Sequence, residues 1–236
     1  MKSPVSEFKL IDRGFQNFLV LIPGWATDFR IFNTLKLDYN YLVPVKFYPS
    51  NFNAGLTKIL KKESIKKISL FGWSLGGFLA QDFALNNHKL IEELLLVSIR
   101  RRYEPGALEK IKSQLFKNKK AFLYKFYLEC FSDNDLEALA WFKNSLLEDY
   151  CSGLELNYLI DGLDYLSQVK LKTDSLGQIK KLRIFHGRKD AIAPFDEAVL
   201  LRDDLPLADF VSMPECGHIP FLAKDFRDKF NGYCVT

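Results

Sequence analysis

Short apolar runs and helix-spaced apolar residues alternate along the first hundred residues of the chain. Four runs are apolar almost throughout and are bounded by turn residues: Phe18 to Ile22, Tyr41 to Phe47, Ile68 to Phe71 and Leu94 to Val97. Runs of this kind are typical of strands buried on both faces. Apolar residues with helical spacing follow the third run, at Phe78, Leu79, Phe83 and Ala84. The alternation predicts an α/β fold with a mostly parallel central sheet and helices on both faces.

The pattern changes between about residues 106 and 170, where it indicates helices and no strand. Two sets of apolar residues keep helical spacing there: Leu108, Ile111, Leu115, Phe122 and Phe126, then Leu136, Leu139, Phe142, Leu146 and Leu147. The alternation then resumes, with strands at Leu182 to Phe185 and Phe210 to Met213 and helices at Glu197 to Leu205 and around Asp225 to Phe230. We therefore expect a core of residues 1–102 and 173–236, interrupted by a helical cap at residues 103–172.

Composition excludes several classes of protein. With 236 residues, of which 48% are hydrophobic, the chain can bury a sizeable core, and its net charge of +4 is too small to indicate nucleic acid. Its cysteines lack the spacing of a zinc site or a disulfide framework: Cys130, Cys151, Cys216 and Cys234. We expect reduced thiols, no metal and no other cofactor. No signal peptide or membrane span is indicated, so we expect a cytoplasmic protein.

Charge is concentrated in two adjacent blocks. Residues 100–126 contain nine Lys or Arg and two acidic residues, whereas residues 127–165 contain nine acidic residues and one Lys. Such blocks usually form solvated helix faces, but a basic block could also bind an acidic partner. The sequence leaves both interpretations open.

The clearest chemical motif is a G-x-S-x-G sequence at residues 72–76, placed between a predicted strand and a predicted helix. Gly72 and Gly76 suit a tight turn in which backbone approaches so closely that a Cβ would clash. Such a turn exposes the Ser74 hydroxyl and places the following N–H groups at a helix N-terminus, where they can stabilise an oxyanion. Ser74 is therefore the candidate nucleophile.

A serine nucleophile needs a base, and the chain has three histidines: His88, His186 and His218. His88 lies in a polar turn that we expect at the surface, and His186 lies at the end of a predicted strand. His218 follows the last strand and completes the order Ser, acid, His that α/β-hydrolases use. The acid must orient the imidazole, and Asp190 fits, although a turn Asp or a helix N-cap paired with Arg188 is the alternative.

The second oxyanion donor is expected from the loop after an early strand, at Pro23 to Ala26. The Trp25 amide is the candidate, together with the Leu75 amide, and Gly24 would let the backbone pass close to a substrate. The alternative is that Trp25 only packs against its neighbours.

These residues, in this order, resemble the α/β-hydrolase superfamily over nearly the whole chain. Gly24-Trp25, the motif at residues 72–77 and Gly162-Leu163-Asp164-Tyr165-Leu166 further resemble the pimeloyl-acyl carrier protein methyl ester carboxylesterases of biotin synthesis. The resemblance implies a serine carboxylesterase with Ser74, Asp190 and His218 as triad and Trp25 and Leu75 as oxyanion donors. Two motifs depart from that family, since Pro23 replaces its usual His and residues 48–53 replace its Gly-rich turn.

The resemblance also implies an acyl carrier protein as partner, because that family's cap uses basic residues to bind the carrier. The candidates lie in the basic block: Lys117, Lys119, Lys120 and Lys125. Other cap-bearing α/β-hydrolases remain alternatives, namely small-ester esterases, C–C hydrolases and menaquinone-pathway lyases. A non-catalytic ligand-binding relative is a further alternative, against which the complete triad argues.

Overall fold

The computed structural model describes residues 6–232, so Cys234 lies outside the described residues. Seven strands form one sheet in this range: β1 (Glu7–Ile11), β2 (Phe18–Ile22), β3 (Asn40–Lys46), β4 (Ile68–Trp73), β5 (Ile91–Val97), β6 (Leu182–Gly187) and β7 (Asp209–Met213). Their order across the sheet is β1-β3-β2-β4-β5-β6-β7. Only β1 pairs antiparallel, with β3, and the other neighbours are parallel. The predicted mostly parallel sheet is confirmed.

The described residues contain nine α-helices: α1 (Phe52–Lys62), α2 (Leu75–Asn86), α3 (Pro105–Glu129), α4 (Leu136–Ser145), α5 (Leu147–Gly153), α6 (Leu156–Gln168), α7 (Thr173–Leu176), α8 (Phe195–Asp204) and α9 (Phe226–Phe230). Four short 3-10 helices lie at Phe29–Phe32, Pro49–Asn51, His88–Leu90 and Pro220–Leu222. Helix α2 is apolar on almost every side because it packs against the centre of the sheet.

Strand β1 is the element that the apolar pattern misses. Its residues alternate between exposed and half-buried positions, and it lies at the edge of the sheet. An edge strand that buries little apolar surface has no continuous apolar run. Strand β4 is the opposite case, because it is buried throughout between β2 and β5.

Helices α3 to α6 occupy the cap, and between β5 and β6 the described chain forms no strand, only an isolated bridge between Arg102 and Lys170. Helix α3 is kinked at Asn118, whose backbone is not helical. The Asn118 carboxamide oxygen accepts a hydrogen bond from the Ala121 amide (3.0 Å), so it caps the second half of the helix. The cap boundaries at residues 103 and 172 stay a prediction.

Candidate active site

Ser74 lies between the last residue of β4 and the first residue of α2, at the carboxyl edge of the sheet. Its φ of 52° and ψ of −118° place a non-glycine residue in a strained backbone region. A Cβ on Gly76 would lie 2.2 Å from the Ile22 carbonyl oxygen, and one on Gly72 would lie 2.5 Å from the Gly76 carbonyl oxygen. Only glycines allow this turn, as the sequence motif indicates.

His218 and Asp190 form a buried pair. His218 Nδ1 lies 2.8 Å from Asp190 Oδ2, and both side chains are almost completely buried. The other carboxylate oxygen, Oδ1, accepts hydrogen bonds from the amides of Ile192 and Ala193, each at 2.8 Å. Asp190 is thereby fixed on both oxygens, and the imidazole of His218 is oriented with Nε2 away from the carboxylate.

The loop that carries His218 is held by the cap and by the strand that precedes Ser74. The His218 amide donates to the Cys130 carbonyl at the end of α3 (2.8 Å), and Trp73 Nε1 donates to the His218 carbonyl (2.8 Å). The Asp135 carboxylate accepts a hydrogen bond from the Gly217 amide (2.9 Å). Three elements from distant parts of the sequence therefore position one histidine.

The loop at residues 23–27, which we call the Trp25 loop, is also held by the cap. Trp25 Nε1 donates to the Leu159 carbonyl of α6 (2.8 Å), and the indole packs edge-on against Phe126 (5.0 Å between ring centroids). The Tyr127 hydroxyl donates to the carbonyl of Ala26, a residue with a φ of 59°. Together with the hydrogen bond that the Thr27 hydroxyl donates to the Gly24 carbonyl (3.0 Å), these contacts brace the loop, in which Pro23 has no polar side chain.

The Trp25 and Leu75 amides stay the candidate oxyanion donors. Leu75 is the first residue of α2, so its N–H has no acceptor within the helix. Within residues 6–232 the Trp25 amide donates to no other residue. Trp25 also packs, as the alternative interpretation holds, but this packing involves its side chain and leaves the amide available.

Tyr103 is a site residue that the sequence patterns do not reveal. Its hydroxyl lies 3.3 Å from Ser74 Oγ, and burial raises the pKa of this phenol to about 12. Within the described residues, Ser74 Oγ makes this hydrogen bond and none with His218. Tyr103 follows three arginines in a polar segment, and neither spacing nor periodicity connects it with residue 74.

His186 is a second histidine beside the acid. Its Nε2 lies 2.7 Å from the Ala193 carbonyl oxygen and 3.4 Å from Asp190 Oδ2, and its side chain is fully buried. Burial lowers the pKa of this imidazole, which favours the neutral form. His186 therefore supports the turn that holds Asp190. His88, by contrast, is exposed as predicted.

Two neighbouring cavities lead away from the Trp25 loop. The inner one, of about 10 Å³, is bordered by Trp25, Leu75 and Gly162, and the outer one, of about 180 Å³, opens towards Lys46 and Glu155. Phe47 and Tyr158 border both. Both volumes lie below the roughly 300–1,000 Å³ that small-molecule sites span.

The candidate lysines lie on helix α3, away from the buried pair. Three have partners inside the cap: Lys119 with the carbonyls of Ser152 (3.2 Å) and Leu154 (2.6 Å), Lys120 with Glu148 (2.6 Å) and Lys125 with Glu129 (3.6 Å). Lys117 has no ion pair or hydrogen bond within residues 6–232. The two charge blocks therefore partly neutralise each other within the cap.

Residues 6–232 contain no cluster of three or more His, Cys, Asp or Glu side chains suited to a metal ion. No helix in this range is long and apolar enough to cross a membrane.

The fold defines the class of the protein. An esterase from Exiguobacterium antarcticum superposes with a TM-score of 0.79 at 20% identity, covering 98% of this chain and 94% of that one. The chain has the α/β-hydrolase fold. No profile of a known protein family matches the chain.

Sequence relatives define the family more closely. The pimeloyl-[acyl-carrier protein] methyl ester esterase of Nitrosomonas europaea is 30% identical over 188 residues, which are 74% of this chain and 73% of the relative. The enzyme of the same name from Wigglesworthia glossinidia brevipalpis is 26% identical, with 93% of each chain covered. The chain belongs to the family of these esterases, and it is a serine hydrolase that acts on carboxylic ester bonds.

Proposed function

We propose that the protein hydrolyses its ester through a Ser74–His218–Asp190 triad. His218 Nε2 takes the proton of Ser74 as its oxygen attacks the ester carbonyl, and Asp190 stabilises the imidazolium. The amides of Trp25 and Leu75 bind the oxyanion. The imidazolium then gives its proton to the departing alcohol, and a water activated by His218 hydrolyses the acyl-enzyme. The observation that carries this proposal is the buried 2.8 Å pair of His218 and Asp190 beside the strained Ser74 turn.

The substrate that we propose is the methyl ester of a pimeloyl chain carried on acyl carrier protein, an intermediate of biotin precursor synthesis. The names of the relatives support this substrate class. An acyl chain bound at Trp25 and Leu75 would extend along the apolar ring of Phe47 towards the surface, and it would have to widen the inner cavity, which is about 10 Å³. A cytoplasmic location is part of the same proposal.

Carrier binding is proposed at helix α3 of the cap. Of the four candidate lysines, Lys117 and Lys125 are the better ones, because both are exposed and neither has a close partner. Lys117 has none within residues 6–232 and Lys125 lies 3.6 Å from Glu129, whereas Lys120 pairs with Glu148 at 2.6 Å. Lys119 contributes to the structure of the cap through its two carbonyl contacts. An acidic carrier would meet Lys117 and Lys125 first, and such charges mainly increase the rate of association.

The direct test is complementation of a biotin-requiring strain that lacks its own pimeloyl ester esterase. The wild-type gene should restore growth without biotin, and Ser74→Ala should not, although both proteins accumulate. In parallel, the purified protein should release methanol from the carrier-bound methyl ester. If the protein does not hydrolyse this ester but rapidly hydrolyses small soluble esters, the proposed substrate is refuted and the proposed triad mechanism is not. Full activity of Ser74→Ala would refute the proposed triad mechanism.

A further inference from the structure

The hydroxyl of Tyr103 is the polar side-chain group that contacts Ser74 Oγ, at 3.3 Å. Tyr103 belongs to residues 98–104, which connect β5 of the sheet with α3 of the cap. This connecting segment therefore brings a hydroxyl donor to the candidate nucleophile from the side of the cap.

The connecting segment is anchored on both sides, so the hydroxyl has a defined position. Arg100 pairs with Glu197 (3.3 Å) and Arg101 with Asp204 (2.8 Å), both on helix α8. The Tyr103 ring packs against Phe78 of α2 (6.3 Å between centroids), and the Arg100 guanidinium lies 5.2 Å from the ring centroid. The ring is thus held independently of its hydroxyl.

Tyr103 keeps its proton at working pH. Burial raises the pKa of the phenol to about 12, so it is a hydrogen-bond donor and not a base at neutral pH. Once the proton of Ser74 has passed to His218, the hydroxyl of Tyr103 can only donate towards the reacting atoms.

The tetrahedral intermediate offers two acceptors for this donor besides the oxyanion: Ser74 Oγ itself and the alkoxy oxygen of the ester. Its carbon carries the former carbonyl oxygen, the acyl carbon and the alkoxy oxygen. The former carbonyl oxygen faces the Trp25 and Leu75 amides, and the acyl carbon accepts no hydrogen bond. Of Ser74 Oγ and the alkoxy oxygen, which are bonded to the same carbon, the alkoxy oxygen is the one on which negative charge develops as the alcohol leaves.

We propose that the Tyr103 hydroxyl donates a hydrogen bond to the alkoxy oxygen of the ester and stabilises it as the alcohol leaves. The C–O bond breaks, its electron pair goes to the alkoxy oxygen, and that oxygen takes the proton of the His218 imidazolium. Tyr103 keeps its own proton throughout. This inference rests on the proposed role of Ser74 and adds a catalytic residue to it.

The test is Tyr103→Phe, which removes the hydroxyl and keeps the ring. The alcohol in methyl butyrate is a poor leaving group that gains from a hydrogen bond, whereas p-nitrophenolate spreads its charge and needs little help. Hydrogen bonds to charged groups are worth enough to predict a loss of about 10- to 100-fold in kcat/KM for methyl butyrate. For p-nitrophenyl butyrate the expected loss is less than about 3-fold. The ratio kcat/KM is the right measure because it reports acylation.

Two control variants complete the design. Tyr124→Phe makes the same chemical change at an exposed position of the cap and should leave both esters at the wild-type rate. Ser74→Ala should remove both activities, and if it does not, the proposed function fails first. If Ser74→Ala is inactive but Tyr103→Phe slows both esters equally, Tyr103 only positions Ser74 and the leaving-group role is refuted. Unchanged or faster hydrolysis of methyl butyrate would refute it as well.

Discussion

Gly162 of helix α6 lies where the cap meets the Trp25 loop, and Gly162→Ala tests whether the cap controls the Trp25 amide. A Cβ on this residue would lie 2.6 Å from Cδ1 and 3.1 Å from Nε1 of Trp25. Since Cβ atoms essentially never approach a heavy atom closer than 3.0 Å, the indole has to move. It is restrained by the 2.8 Å hydrogen bond to the Leu159 carbonyl, which lies one turn earlier in the same helix. The displacement should therefore reach the backbone of the Trp25 loop.

Two opposing contributions determine the effect on stability. Overpacking of a core position costs about 1–3 kcal/mol, and replacing Gly by Ala inside a helix returns up to about 1 kcal/mol. We expect the free energy of unfolding to fall by about 0–2 kcal/mol. Removing an oxyanion donor costs about 10²–10³ in kcat, so a displaced donor should cost about 10- to 100-fold. Activity should therefore fall while the protein remains folded.

The assays are kcat with p-nitrophenyl butyrate and unfolding in urea. Gly106→Ala is the matched control in helix α3, because its Cβ would meet nothing within 4 Å. It should keep wild-type activity. In a Trp25→Ala background the clashing ring is absent, so the additional cost of Gly162→Ala should shrink. A Gly162→Ala enzyme with kcat within about twofold of wild type would refute the claim that the cap controls this amide.

Three further predictions concern the triad, a buried histidine and the cap lysines. Ser74→Ala and His218→Ala should each lower kcat for p-nitrophenyl butyrate by about 10⁴ or more, and Asp190→Asn by a similar or smaller factor; half the wild-type rate in Ser74→Ala would contradict the assignment. Because burial lowers the pKa of His186 in the folded state, its contribution to stability is present above the unfolded value of about 6.5 and is lost as the pH falls through the folded value. The free energy of unfolding, measured in urea, should therefore fall less between about pH 7 and 5 in His186→Gln than in wild type. An equal fall in both proteins would contradict this. Lys117→Ala with Lys125→Ala should raise KM for the carrier-bound ester and reduce its salt dependence, with the small ester unaffected; equal effects on both would indicate damage to the cap.

The sheet could be predicted and a candidate triad could be proposed because their signals are local. Central strands are buried on both faces, so β2, β4 and β5 appear as continuous apolar runs. The Ser74 turn needs glycines at fixed offsets, and their reason is visible in the 2.2 Å and 2.5 Å approaches that a Cβ would make. Once the fold is recognised, chain order and the scarcity of histidines leave few choices for base and acid.

The contacts that hold the site could not be predicted, because each joins residues far apart in sequence. The Trp25–Leu159 hydrogen bond spans 134 residues and the Trp73–His218 bond spans 145. Tyr103 reaches Ser74 only because the segment after β5 turns over the end of the sheet. The charge blocks were visible in the sequence, but their pairing, as between Lys120 and Glu148, depends on how α3 packs against α5.

In the proposed mechanism the cap is part of the catalytic apparatus, because it contacts three of the residues on which that mechanism depends: Trp25, His218 and Ser74. Helix α6 holds Trp25 through the Leu159 carbonyl, and the end of α3 holds His218 through the Cys130 carbonyl. The segment entering the cap brings Tyr103 to Ser74. A cap attached only as a lid could vary in position without changing the chemistry, but here a shift of α3 or α6 would move an oxyanion donor or the base. Substrate selection by the cap and turnover in the core should therefore change together in cap variants.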